Sequence, residues 1–179
     1  MGYRAGFNLT TGSYNVAYGR NTLLNSVTSN YNVAIGDSAI GLGVLTGSNN
    51  VALGQQAGYD LTSGAGNVLA GYRAGYNATT STYSIAIGYN AIGLGVLTGT
   101  DNTAIGRGAG TDLTSGTYNN FIGYNAGANV TTADYTIAIG SQAIGLGVTT
   151  GDNNIALGRF AGYDLTSGAS NVFMGYAAG

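Results

Sequence analysis

Eleven glycines recur along the chain with a spacing of 17, 17 and 18 in rotation: Gly2, Gly19, Gly36, Gly54, Gly71, Gly88, Gly106, Gly123, Gly140, Gly158 and Gly175. A period this strict over 179 residues restricts the fold to a solenoid, in which each repeat is one coil stacked on the last. A chain of this kind meets its surroundings with a repeated surface. A function carried by shape is therefore expected over one carried by a reactive group.

From Gly19 onward each of these glycines closes a short apolar run. Four places before it stands Asn15, Asn32, Asn50, Asn67, Asn102, Asn119, Asn154 or Asn171, with Ser84 and Thr136 in the remaining two coils. Three places before is usually Val or Ile (Val33, Val51, Ile85), and one place before is usually Ile or Leu (Ile35, Leu53, Ile87). Alanine mostly stands between them. Large, small, large over three residues is a strand with its large side chains on one face, and β-branched residues favour that state. The turn glycines Gly19, Gly36, Gly54, Gly71, Gly88, Gly106, Gly123, Gly140, Gly158 and Gly175 then supply a positive φ or a close backbone approach. Three residues on comes an alanine (Ala39, Ala57, Ala91) suited to a tight corner or narrow interior. Eight residues on lies a file of Thr or Val, from Thr10, Val27 and Val44 to Thr166, with Ser or Thr one or two places further. This file predicts a second short strand. Helix loses, because a glycine about every fifth residue costs ~1 kcal/mol each in a helix interior.

A longer period overlies the first. The longer coil is always the third, and it alone carries Ile40-Gly-Leu-Gly-Val44, repeated at Ile92–Val96 and Ile144–Val148, so coils group in triplets with a 52-residue period. The expected fold is all-β: one parallel β-solenoid, or β-roll, of about ten coils over residues 1–179. Both ends stop inside a repeat, Met1-Gly2-Tyr3 and Met174-Gly175-Tyr176. The expectation is a piece of a longer fibre or a unit that stacks end to end, since solenoids normally carry atypical caps.

So short a coil encloses few large side chains, and it needs further support. The asparagine file is expected to form a ladder of side-chain amides bonded coil to coil. The residues two places before the glycine, Ala17, Ala34, Ala52, Leu69, Ala86, Ala104, Phe121, Ala138, Ala156 and Phe173, read as an outward strip for packing against other copies of the chain. A homo-oligomer is therefore expected.

Composition excludes several functions. Five Lys and Arg against seven Asp and Glu oppose nucleic acid as a partner, because phosphate neutralisation needs clustered cations. No apolar run approaches the ~20 residues of a membrane helix, and the repeat follows Met1 at once without a leader pattern. There is no Cys, so no disulfide or thiolate metal site holds the fold.

At Asn32-Val-Ala-Ile-Gly36, Ser84-Ile-Ala-Ile-Gly88 and Thr136-Ile-Ala-Ile-Gly140 the chain resembles the head repeats of trimeric autotransporter adhesins. It is similar over nearly its whole length to the glycine-rich arrays of bacteriophage tail fibres and related bacterial surface proteins. The adhesin repeat is a left-handed parallel β-roll with three chains side by side, in coils shorter than those here. The resemblance implies a trimeric binding rod that is extracellular, cell-surface or virion-borne.

Catalysis is not expected. The chain has no His and no Cys, and general acid–base work wants paired carboxylates or a His. Asp60, Asp112 and Asp164 align but stand three coils apart, about 14 Å, and read as turn formers. No metal and no cofactor is expected. The segment Gly41-Leu-Gly43-Val-Leu-Thr-Gly47 mimics a phosphate loop without its Lys or following helix. Asn8-Leu-Thr10, Asn77-Ala-Thr79 and Asn129-Val-Thr131 match the N-glycosylation pattern as by-products of the repeat. The 14 tyrosines suit a glycan or protein receptor, though covering coil edges and subunit seams is the stronger expectation for any one of them.

Three functions fit this reading. The first is a structural rod of an extracellular or virion fibre, presenting a repetitive surface for attachment to a host. The second is an ice-binding solenoid using the Thr/Val file and its Ser/Thr neighbours. The third is a self-assembling extracellular filament.

Overall fold

The computed structural model describes residues 2–179; Met1, on which the leader expectation rests, lies outside them. Ten three-residue strands, β1 (Val16–Tyr18), β2 (Val33–Ile35), β3 (Val51–Leu53), β4 (Val68–Ala70), β5 (Ile85–Ile87), β6 (Thr103–Ile105), β7 (Asn120–Ile122), β8 (Ile137–Ile139), β9 (Ile155–Leu157) and β10 (Val172–Met174), form one parallel sheet in chain order. Every pair is in strict register, as in Val33 with Val51 and Ile35 with Leu53. The chain is an all-β parallel solenoid, about 43 Å long at the usual strand spacing.

The predicted second strand does not form. Its place holds single in-register bonds, such as Thr62 N–H to Thr79 O at 2.9 Å, and one isolated bridge, Val130 with Thr149. The extra residue of each third coil falls there. Leu42 N–H donates to Tyr59 O, whereas Thr46 N–H donates to Thr62 O, so the register slips by one between them. A one-residue insertion repeated every three coils interrupts a ladder as a bulge does.

The strip assigned to oligomer contacts lies inside. Ala34, Ala52, Leu69, Ala86, Ala104, Phe121, Ala138 and Ala156 are fully buried, and Ala17 and Phe173 are partly buried against the same core. Strand parity sends one set of side chains in and the other out. In a coil this thin the opposite wall is close, so the small residues go in and the large β-branched ones go out.

The 52-residue period is a packing period. In the second coil of every triplet after the first, at Gly71, Gly123 and Gly175, the inward strand residue is large and the residue four after the glycine is Gly. A Cβ on Gly75 would sit 2.6 Å from Leu69 Cδ2, and one on Gly127 2.5 Å from Phe121 Cδ1. In the third coil the volumes exchange, with Ala34, Ala86 and Ala138 facing buried Ile40, Ile92 and Ile144. Alternating large and small residues across the interior keeps density near that of close-packed cores.

Candidate functional site

Three surface features recur along the rod. The first is the outer face of the sheet. Its residues three and one places before the glycine point out, leaving Ile35, Leu53, Ile87, Ile105, Ile122 and Ile139 each 37–40% exposed. Tyrosines flank this double file, which is aliphatic but for Thr103 and Asn120 and the aromatic Tyr18. On one side Tyr14 stacks on Tyr31 at 4.9 Å between ring centroids and Tyr118 on Tyr135 at 5.0 Å. On the other, Tyr72 stacks on Tyr89 at 5.2 Å. From tyrosine edge to tyrosine edge the face spans about seven residues, or ~20 Å, by ten strands. Charges stand at both edges: on one Arg20 pairs with Asp37 at 2.7 Å, and on the other Asp101 takes a place in the tyrosine file. The Arg20 ion pair holds the Asp37 carboxyl below its usual range, through a direct hydrogen bond from Arg20 and a second from Ser38.

The second feature is a file of hydroxyls. Thr11, Thr28, Thr46, Ser63, Thr80, Thr98, Ser115, Thr132, Thr150 and Ser167 are all exposed, one per coil without a gap. They are not the Thr/Val file named from the sequence. In that file Thr10, Thr62 and Thr114 turn their hydroxyls to the carbonyls of Val27, Thr79 and Thr131, at 2.9–3.1 Å. Those hydroxyls stitch coils together, and the next file faces water.

The third is the asparagine ladder, which is structural. Asn50 donates from both its backbone N and Nδ2 to Asn32 Oδ1, at 2.9 and 3.1 Å. Asn67 donates in the same way to Asn50, Asn119 to Asn102 and Asn171 to Asn154. Where Ser84 replaces asparagine its Oγ still accepts from Asn102 N, at 3.2 Å. From Asn15 to Asn154 each Nδ2 also caps a carbonyl across the coil, such as Asn67 to Ser81 O at 2.7 Å. The turn glycines share one conformation, with φ of 132–137° from Gly19 to Gly158.

The remaining sequence candidates sit apart. Asp60 and Asp112 are raised above the ordinary carboxyl range by burial, yet no group of three or more acids, His or Cys forms a metal-sized cluster among the described residues. The phosphate-loop mimic has no helix, and Gly43 lies against Leu61 O of the next coil. The glycosylation-pattern amides are bonded within the rod: Asn8 Nδ2 to Asn25 Oδ1, Asn77 Nδ2 to Leu94 O and Asn129 Nδ2 to Leu146 O, each at 2.9 Å. No helix is long and apolar enough to cross a membrane among the described residues. Sequence reasoning missed the outward aliphatic face; of the two files it offered for ice, the Ser/Thr neighbours of the Thr/Val file are the uninterrupted exposed one. Protein-family models, curated protein sequences and solved structures offer no match to this chain.

Proposed function

We propose that this chain is a structural segment of an extracellular or virion-borne fibre. In this reading it assembles side by side as a homotrimer and presents a repetitive surface for attachment. The supporting observation is the aliphatic double file on the outer sheet face. An ordinary monomer seldom exposes a contiguous apolar patch beyond a few hundred Å². A face of ~20 by ~43 Å matches the roughly 800 Å² per partner of a stable interface. The adhesin-like strand motifs favour three chains. The fibre then gains rigidity from its own copies and keeps its other faces free for a receptor. Light scattering on the purified chain tests this. A molar mass three times the single chain's 17.9 kDa is expected. It should fall to one chain's mass when Ile87, Ile105 and Ile139 are replaced together by lysine. A parent protein of single-chain mass overturns the assembly.

A second reading, ice binding, is favoured by the gapless exposed hydroxyl file. Its rungs repeat at the solenoid's ~4.8 Å pitch, a regular lattice with no ligand pocket. Thermal hysteresis in dilute solution decides it. A freezing gap abolished by replacing Thr80, Thr98 and Thr132 with lysine supports ice binding, and no gap removes it.

A further inference from the structure

One notch interrupts the periodic surface. The second residue after each turn glycine carries a side chain on ten of eleven coils, among them Ser38, Gln56, Arg73, Asn90, Asn125 and Gln142. These positions are left-handed, with φ of 49–58° in the six named, and their side chains pack coil on coil. Arg73 Nε, for example, donates to Gln56 Oε1 at 2.9 Å. The exception is Gly108. The missing side chain opens a cavity of about 200 Å³ between Asn90 and Asn125.

Its walls carry three chemistries. Tyr89 and Tyr124 present half-exposed rings. The Arg107 guanidinium lies 4.5 Å from the Tyr124 ring centroid and makes no ion pair among the described residues. Stacking occupies the flat face of a guanidinium and leaves its edge N–H groups free for a carboxylate. Asn125 Oδ1 lies against the position a Cβ on Gly108 would take, lines the cavity and accepts no hydrogen bond among the described residues, so it stands as a free acceptor there. The frame is rigid. Gly108 N–H donates to Tyr89 O at 2.9 Å and Asn125 N–H to Arg107 O at 3.0 Å, and Thr111 Oγ1 donates to Gly108 O at 2.6 Å.

The geometry points to a binding site for one sugar-acid ring, a pyranose bearing a carboxylate. The carboxylate pairs with Arg107, a ring hydroxyl donates to Asn125 Oδ1, and the C–H face of the sugar lies on a tyrosine ring. A simple carboxylate offers neither a hydroxyl donor suited to Asn125 nor an apolar face, and inorganic phosphate, which carries a P–OH, lacks the apolar face. The cavity is smaller than the ~300–1,000 Å³ of drug-sized pockets, so it holds one ring of a longer chain and leaves the rest in solvent. The site names a ligand class for the attachment reading and rests on that reading; it lies within one chain, at the Tyr89 rim of the face assigned to assembly, and requires that this rim stay open in the assembled fibre.

Amide NMR titration of the full chain with sodium D-glucuronate, D-glucose and sodium acetate tests it. Glucuronate is expected to shift resonances between Asn90 and Asn125 and to saturate in the millimolar range. Glucose should bind at least tenfold more weakly, and acetate should leave the Asn125 amide unmoved. Gly108→Asn restores the side chain found on neighbouring coils, in a backbone conformation asparagine tolerates; its Cβ displaces only the flexible Asn125 amide, and it should abolish the shifts with the fold intact. Arg107→Gln, an exposed change, should weaken glucuronate tenfold and leave glucose unaltered; it serves alone if Gly108→Asn perturbs the coil. Equal shifts from acetate, no shifts with glucuronate, or undiminished binding in Arg107→Gln each overturn the proposal. A trimeric mass with no glucuronate binding would defeat this site and leave the fibre reading standing.

Discussion

Gly88→Ala is expected to destabilise the rod by about 4 kcal/mol, the sum of a backbone cost and a close-contact cost. Gly88 has a φ of +133°, a region almost closed to residues with a side chain. The added Cβ would stand 2.5 Å from Gly106 O, 2.7 Å from Gly106 C and 3.2 Å from Arg107 N. All three atoms are backbone of the next coil, so nothing flexible can yield. The coils must separate there, and the neighbouring bonds, Ile85 N–H to Asn102 O and Gly106 N–H to Ile87 O, both 2.8 Å, are the first to lengthen. Because a solenoid's stability is a chain of nearest-neighbour terms, loss of hydrogen-exchange protection should centre on β5 and β6 and fade over one or two coils. Gly175→Ala separates the two costs. Its φ is +118°, and the new Cβ meets nothing within 4 Å, so only the backbone cost of ~1–3 kcal/mol applies. Equal urea midpoints for the two variants would show that close approach between coils contributes nothing.

The period was legible because stacking forces like residues into files. A repeat with Asn at one phase and Gly at another leaves one register, and the strands pair in it. What stayed hidden was which side of each strand faces in. Alternation reports parity, and parity alone does not distinguish inside from outside. The usual rule that large apolar residues go inward fails here because the far wall of so narrow a coil is too near to admit Ile and Val from every strand. Leu69, Phe121 and Phe173 carried the missing signal. Each coincides with a glycine six places on, at Gly75, Gly127 and Gly179. That compensation makes sense only if both positions share one interior. The absent second strand has a similar origin: the insertion at every third coil marks the triplet in the sequence, and the same insertion breaks the ladder. Gly108 was readable as the lone glycine of its file, but the unpartnered Asn125 oxygen beside it was not.

Asn50→Ala should cost about 3–5 kcal/mol, counted from the buried groups it orphans. Asn50 is fully buried. Its Nδ2 caps Gly64 O at 2.9 Å, and its Oδ1 accepts Asn67 N–H and Nδ2, both at 3.0 Å. Alanine leaves Gly64 O and Asn67 N–H unpaired inside the rod, and each unmet backbone group costs about 1–3 kcal/mol. Asn32 Oδ1 is spared, since Asn50 N–H still reaches it at 2.9 Å, and Asn67 Nδ2 keeps its bond to Ser81 O. The loss is therefore confined to two groups. Asn50→Ser should cost less, because the ladder already contains this solution: Ser84 Oγ accepts from Asn102 N–H and takes a bond from Ser81 Oγ at 2.9 Å. A serine hydroxyl can receive the next coil's N–H but is too short to cap the carbonyl across the coil. The serine variant should thus recover roughly half of the alanine deficit. Chemical denaturation of the parent and both variants measures the order. Should alanine and serine prove equally costly, the ladder's value lies in capping Gly64 O alone. Should both fall within about 1 kcal/mol of the parent, the size of one ordinary net hydrogen bond, the rod is held by its interior, and the asparagine file contributes register without strength.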